Sequence, residues 1–157
     1  MVHLLADHPH LIKSVALMRW HEWGREDSLT RWIRITAREA GRDQLPVTWV
    51  AVDEHGDALG AVAIGDHEEA RPDLSPWVWG MVVRKDARRQ GIGRLLLDRL
   101  SGFAQAKGHP EVWVATGCPA VPFYERCGFR AVERTAETTI LVRALNAGTA
   151  APPSGPA

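Results

Sequence analysis

The chain is short of several things, and each shortage narrows what it can do. Its 157 residues hold two cysteines, Cys118 and Cys127, too few for a disulfide framework and without the spacing of a metal cluster. We therefore expect two packing thiols, no bound metal and a reducing compartment. Charge of one sign is not in excess either. Nineteen Lys and Arg balance nineteen Asp and Glu, so no global field draws the chain to nucleic acid or an anionic membrane. No apolar run approaches the ~20 residues of a membrane-spanning helix. The first ten residues, with Asp7 and Pro9 among three histidines, lack the basic-then-apolar order of a secretion signal. Together these absences point to the cytoplasm. Tyrosine is down to one residue, Tyr124, so chemistry that needs a phenol rests on it alone.

What is present reads as one globular domain. Hydrophobic residues make up 45% and charged ones 24%, ordinary proportions for a chain of this length with its own core. The end of the chain, "AGTAAPPSGPA", is small and proline-rich, which predicts a disordered tail over 147–157 and a single domain over 1–146. Pro9 suits a helix start, and Leu11, Ile12, Val15 and Met18 then recur at helical spacing toward Gly24. Asp27 or Ser28 can cap a second helix that Gly41 ends. "VTWVAVDEHGDALGAVAIG" reads as a hairpin turning at residues 54–57. "WVWGMVV", residues 77–83, is apolar on both faces, as a strand at a sheet centre would be, with Gly80 marking a bulge or a close backbone approach. A helix from Ile92 to near Gly108 follows, then a buried strand "EVWVAT", a short helix in "PAVPFYERCG" and two closing strands. This order implies a mixed α/β sheet with helices on both faces and a right-handed parallel crossover around Arg88.

The densest chemistry lies in "RKDARRQGIGRLLLDRL", residues 84–100. The stretch opens a helix after a strand, so backbone N–H groups and the helix dipole converge where Gly91 and Gly93 keep side chains out of the way. Arg88, Arg89 and Arg94 add positive charge, and a phosphorylated ligand would balance it. A P-loop is excluded, because Ile92-Gly93-Arg94 stands where its lysine and hydroxyl residue belong. A dinucleotide fingerprint is excluded by the missing third glycine.

Arg88-x-x-Gly91-x-Gly93 after a buried strand resembles the acetyl-CoA signature of the GNAT superfamily of N-acetyltransferases, and "PFYERCGF" resembles that superfamily's tyrosine-bearing helix. The resemblance covers about residues 3 to 145. It implies a mostly antiparallel central sheet with one parallel strand pair splayed around the cofactor, helices on both faces, and acetyl-CoA as that cofactor. By position it assigns the turn from Arg88 through Arg89, Gln90, Gly91, Ile92 and Gly93 to Arg94 to the pyrophosphate, Met81, Val82 and Val83 to the pantetheine arm, and Phe123 to the cofactor. Arg89, Lys85 and Ala87 depart from a frequent glycine, proline and aromatic, and Gly117 and Cys118 stand where many members carry an asparagine.

Acetyl transfer to an amine needs a neutral amine, a donor for the developing oxyanion and a proton for the leaving thiolate. Tyr124 is the general acid that the resemblance implies. The backbone N–H of Val82 is our candidate for the oxyanion. The base is open among Glu22, Glu26, Asp66, His67, Glu68 and Glu69, directly or through water. Trp20, Glu22, Trp23 and Glu26, with Asp66 and Glu68, are candidates for holding a cationic acceptor, since aromatic faces and carboxylates suit an ammonium. The expected activity is therefore acetylation of a primary amine on a small polar acceptor, in a ternary complex, by a monomer or homodimer. The alternatives are a non-catalytic acyl-CoA sensor and an acetyltransferase of protein or aminoacyl-tRNA amines.

Overall fold

The structure is a computed structural model and describes residues 1–24 and 26–145; the expected tail over 147–157 lies outside the described residues. They form two compact units, Met1–Asp66 with Trp79–Leu100, and His67–Val78 with the residues from Ser101 onward.

In the first unit, strand β1 (Val2–Leu4) leads through two single 3-10 turns to helix α1 (Ile12–Trp23). Pro9 sits at the start of the second turn, where its missing N–H costs nothing. Helix α2 (Leu29–Arg38) begins at Ser28, whose hydroxyl accepts from the Arg31 N–H at 3.1 Å, so Ser28 rather than Asp27 is the cap. The helix ends at Arg38, short of Gly41, which instead bridges to Val47. Strands β2 (Val47–Val52) and β3 (Ala58–Gly65) form the expected antiparallel hairpin, with Val47 opposite Ile64. The Asp53 carboxylate closes the turn by accepting from the N–H groups of His55 at 2.8 Å and Asp57 at 3.0 Å. A core of Leu5, Leu11, Val15, Val50, Ala58, Ala61 and Val82 packs α1 against this hairpin and the next strand.

That strand, β4 (Trp77–Val83), belongs to both units. In the second unit its first residue, Trp77, pairs in parallel with Trp113 of β5 (Glu111–Thr116). Helix α3 (Ile92–Ala106) makes the crossover between them. After β5 come α4 (Val121–Arg126), β6 (Arg130–Arg134) and β7 (Thr139–Ala144); β7 pairs antiparallel with both β5 and β6. The strand order is β1-β2-β3-β4-β5-β7-β6, a mixed α/β sheet of seven strands that is antiparallel apart from the β4–β5 pair. Two readings of the sequence change here. β5 buries one face only, with Val112 and Val114 inside and Ala115 exposed, and Cys118 is exposed while Cys127 packs inside.

Candidate functional site

The glycine turn takes the shape an anion needs. Beyond β4, a 3-10 turn at Lys85–Ala87 hands the chain to α3 through Arg89 at φ 65° and Gly91 at φ 81°. Left-handed residues in a turn can point successive N–H groups toward one side, and the α3 dipole adds positive potential there. A Cβ at Gly91 would meet nothing within 4 Å, so the space over the turn is open. Ile92 and Gly93 are buried in the first turn of α3, whereas Arg88, Arg89, Gln90 and Arg94 are exposed. The Arg88 Nε donates to the Val83 carbonyl at 2.9 Å, and its Nη2 donates to Glu22 Oε1 at 3.1 Å. Arginine forks, backbone donors and a helix start fit two linked phosphates.

The same unit holds a cavity of about 490 Å³ lined by Met18, His21, Glu22, Val82, Val83, Arg84, Lys85 and Arg88. It joins the turn to the strand segment expected to hold the cofactor arm. Of the acceptor candidates it includes Glu22. Met18, His21 and Arg84 were missed, although Met18, His21 and Glu22 stand at i, i+3 and i+4 on α1, a spacing that was there to be read. Met81 is half-buried on β4 and does not line the cavity.

On β4, two residues before the cavity-lining Val82, Gly80 adopts φ 56°, a left-handed break three residues beyond the paired Trp77. A Cβ there would meet the Arg19 guanidinium at 2.7 Å. The close approach read from Gly80 is therefore real, and its partner is an arginine on α1.

The tryptophan cluster at the α1–α2 turn is partly structural. Trp20 is half-buried against His21 and donates its Nε1 to the Asp27 carbonyl at 2.8 Å. Trp23 is 51% exposed, with its ring 6.4 Å from that of Trp32, and Glu26 and Asp66 are exposed. Glu68 and His67 fall in the second unit.

That unit holds Tyr124, 5% exposed on α4, with Phe123 at 5.1 Å and Phe129 at 5.4 Å in edge-to-face contacts. Burial, and secondarily the neighbouring Cys127, pushes the phenol well above its ordinary value. It is a donor throughout the neutral range. Among the described residues no group of three or more His, Cys, Asp or Glu is placed to hold a metal, and no helix is long and apolar enough to cross a membrane.

The sequence profile of a family described as "Acetyltransferase (GNAT) domain" matches residues 45–131, from just before β2 into β6. A streptothricin acetyltransferase of Streptomyces lavendulae is 30% identical over 97 residues, which cover 57% of this chain and 47% of that protein. The chain thus spans about half the length of that curated relative. The crystal structure of an aminoglycoside 6'-N-acetyltransferase complexed with coenzyme A superposes with a TM-score of 0.77 at 13% identity, over 93% of this chain and 97% of the other. A nourseothricin acetyltransferase gives 0.54 at 23% identity, over 64% and 66%. At these identities the two structures share the fold.

Proposed function

Because the chain belongs to the GNAT acetyltransferase family, we propose that it is an acetyl-CoA-dependent N-acetyltransferase, acting on a primary amine of a small polar acceptor by direct attack in a ternary complex. The observation that carries this is the turn itself: Arg89 and Gly91 in left-handed backbone at the start of α3, flanked by Arg88 and Arg94, above open space. The family profile runs from β2 to β6 across both units, which supports treating residues 1–146 as one catalytic domain. The free thiols of Cys118 and Cys127 favour the cytoplasm.

Bound acetyl-CoA would supply the acetyl thioester. The residues of this chain then divide the work. Backbone amides of the 89–94 turn and the Arg88 fork hold the pyrophosphate. The backbone of Met81, Val82 and Val83 would pair with the amides of the pantetheine arm as an added strand does, and Phe123 is a further candidate for holding the cofactor. In this reading the Val82 N–H would serve the oxygen that gains charge, and the Tyr124 hydroxyl would supply the proton for the leaving sulfur. Glu22, on the cavity wall and paired with Arg88 at 3.1 Å, would receive the ammonium of the acceptor once Arg88 turns to the pyrophosphate, and Trp20, Trp23, Glu26, Asp66 and Glu68 are secondary acceptor candidates. The printed names of the relatives, aminoglycoside and streptothricin acetyltransferases, favour a polycationic small molecule.

Thermal unfolding with and without CoA tests the reading. At ~100 times its dissociation constant the cofactor should stabilise the fold by about 2.7 kcal/mol, a rise of roughly 5–11 °C at this chain length. Arg88→Ala and Gly91→Glu should abolish it, after which amines are screened by thiol release. No rise at millimolar CoA in the native chain refutes the proposal.

A further inference from the structure

Arg19 is the one charged side chain among the described residues to be fully buried, at 1% exposure. Its Nη1 donates to Glu39 Oε1 at 3.0 Å and to Thr36 Oγ1 at 3.3 Å. Its Nε donates to the Gly80 carbonyl at 3.2 Å, and its Nη2 is buried without a partner among the described residues. Burial pushes the Arg19 guanidinium down and the Glu39 carboxyl up, and each group's charge partly restores the other. Such a pair is a poor source of stability. Removing two charges from water costs about what their attraction returns, and apolar replacements of similar volume are often neutral or stabilising. The orphaned Nη2 adds to the cost.

Geometry explains what stability does not. The guanidinium lies against the Gly80 backbone so closely that a Cβ would sit 2.7 Å from both Nε and Nη2. Gly80, with no Cβ and a left-handed φ of 56°, leaves the space that the Arg19 guanidinium occupies, and its carbonyl accepts from Arg19 Nε. Gly80 immediately precedes the Met81–Val83 backbone, and Arg19 immediately follows Met18 on the α1 wall of the cavity. One side chain thus ties that wall to β4. We propose that Arg19 is a positioning residue for the cofactor arm: anchored by Glu39 and Thr36, it holds the Gly80 carbonyl, and with it the break in β4 that aims the Met81–Val83 backbone at the pantetheine chain. This rests on the acetyl-CoA reading above.

The test compares two ligands, CoA and its fragment 3'-phosphoadenosine 5'-diphosphate, which keeps the pyrophosphate and lacks the pantetheine arm. Their dissociation constants are measured by calorimetry for the native chain, for Arg19→Met/Glu39→Leu, which leaves no unpaired buried charge, and for Arg19→Lys, which keeps the charge and loses the fork. Unfolding midpoints are recorded without ligand. We expect both variants to stay folded and to bind CoA at least tenfold more weakly, with fragment binding changed less than twofold. Native-like CoA binding by the double variant overturns the proposal. So does an equal loss of both ligands, or failure of both variants to fold, since either marks a general structural role. A native chain that binds neither ligand removes the acetyl-CoA reading itself, and this inference falls with it, a failure visible before any variant is made.

Discussion

In the proposed reaction Tyr124 meets the leaving sulfur with a proton that burial makes harder to release. Its environment raises the pKa from the ~10 of a free phenol, chiefly by desolvation. The proton thus stays in place across the working range, and the group acts first as a hydrogen-bond donor. Two outcomes follow. Tyr124→Phe should lower kcat by about 10²–10⁴-fold while the CoA dissociation constant, read by calorimetry, changes less than twofold. The native pH–rate profile should show no alkaline fall owed to this phenol below about pH 10. Because the folded pKa is raised, the contribution of this group to stability is intact below the unfolded value of ~10 and is lost as pH climbs above it. A kcat unmoved by Tyr124→Phe would make the tyrosine a packing residue, whereas a native chain that binds CoA and shows no turnover with any amine would favour the non-catalytic sensor. Arg89 carries a second prediction at this scale. At φ 65° it occupies backbone that favours glycine, at a cost of roughly 1–2 kcal/mol for a residue with a Cβ. Arg89→Gly should therefore leave the unfolding midpoint level or raised, and should weaken CoA binding through the lost charge; a lowered midpoint would show that the guanidinium itself braces the turn.

Helix α2 shows how local signals are read and where they stop. Ser28 stands outside the helix and accepts from Arg31, so Ser28→Ala should cost about 1 kcal/mol and lower the midpoint by roughly 2–4 °C. A shift below one degree in scanning calorimetry would mean that Asp27, whose side chain already accepts from the Ser28 N–H at 3.2 Å, takes over as cap. The cap was legible because capping is a property of a few adjacent residues. The same holds for the glycine turn, the hairpin at Asp53–Asp57 and the helical periods of α1 and α3. Strand β1 was not legible: three residues carry no period, and what makes Val2–Leu4 a strand is its pairing with Trp49–Ala51. Arg19 was not legible for a related reason. An arginine on a helix reads as surface until the chain brings Gly80, Thr36 and Glu39 around it. In the strand itself, only the glycine at position 80 signalled that something would come close.

At the scale of the whole molecule the balance of charge decides which acceptors are plausible. Nineteen basic and nineteen acidic side chains cancel, so attraction to a phosphorylated ligand is local to the arginines of the 88–94 turn and fades within the ~8 Å screening length of physiological salt. A polyanion differs from CoA in what it requires. Tight binding of a tRNA would need many phosphates neutralised at once, with an affinity falling steeply in the logarithm of salt concentration. Several of this chain's arginines are already engaged by carboxylates: Arg71 by Asp73 and Glu133, Arg84 by Asp86, and Arg42 by Asp7, and within the turn Arg88 is shared with Glu22, which leaves still fewer for a polyanion. We therefore expect fluorescence anisotropy at ~150 mM salt to detect no saturable binding of unacylated tRNA at concentrations where CoA saturates the chain. Raising the salt should weaken CoA binding gently, with the slope of a few local contacts. Micromolar tRNA binding with a steep salt dependence would overturn the small-molecule acceptor and bring back acetylation of an aminoacyl-tRNA amine, and the turn at Arg88–Arg94 would then be one part of a wider basic surface.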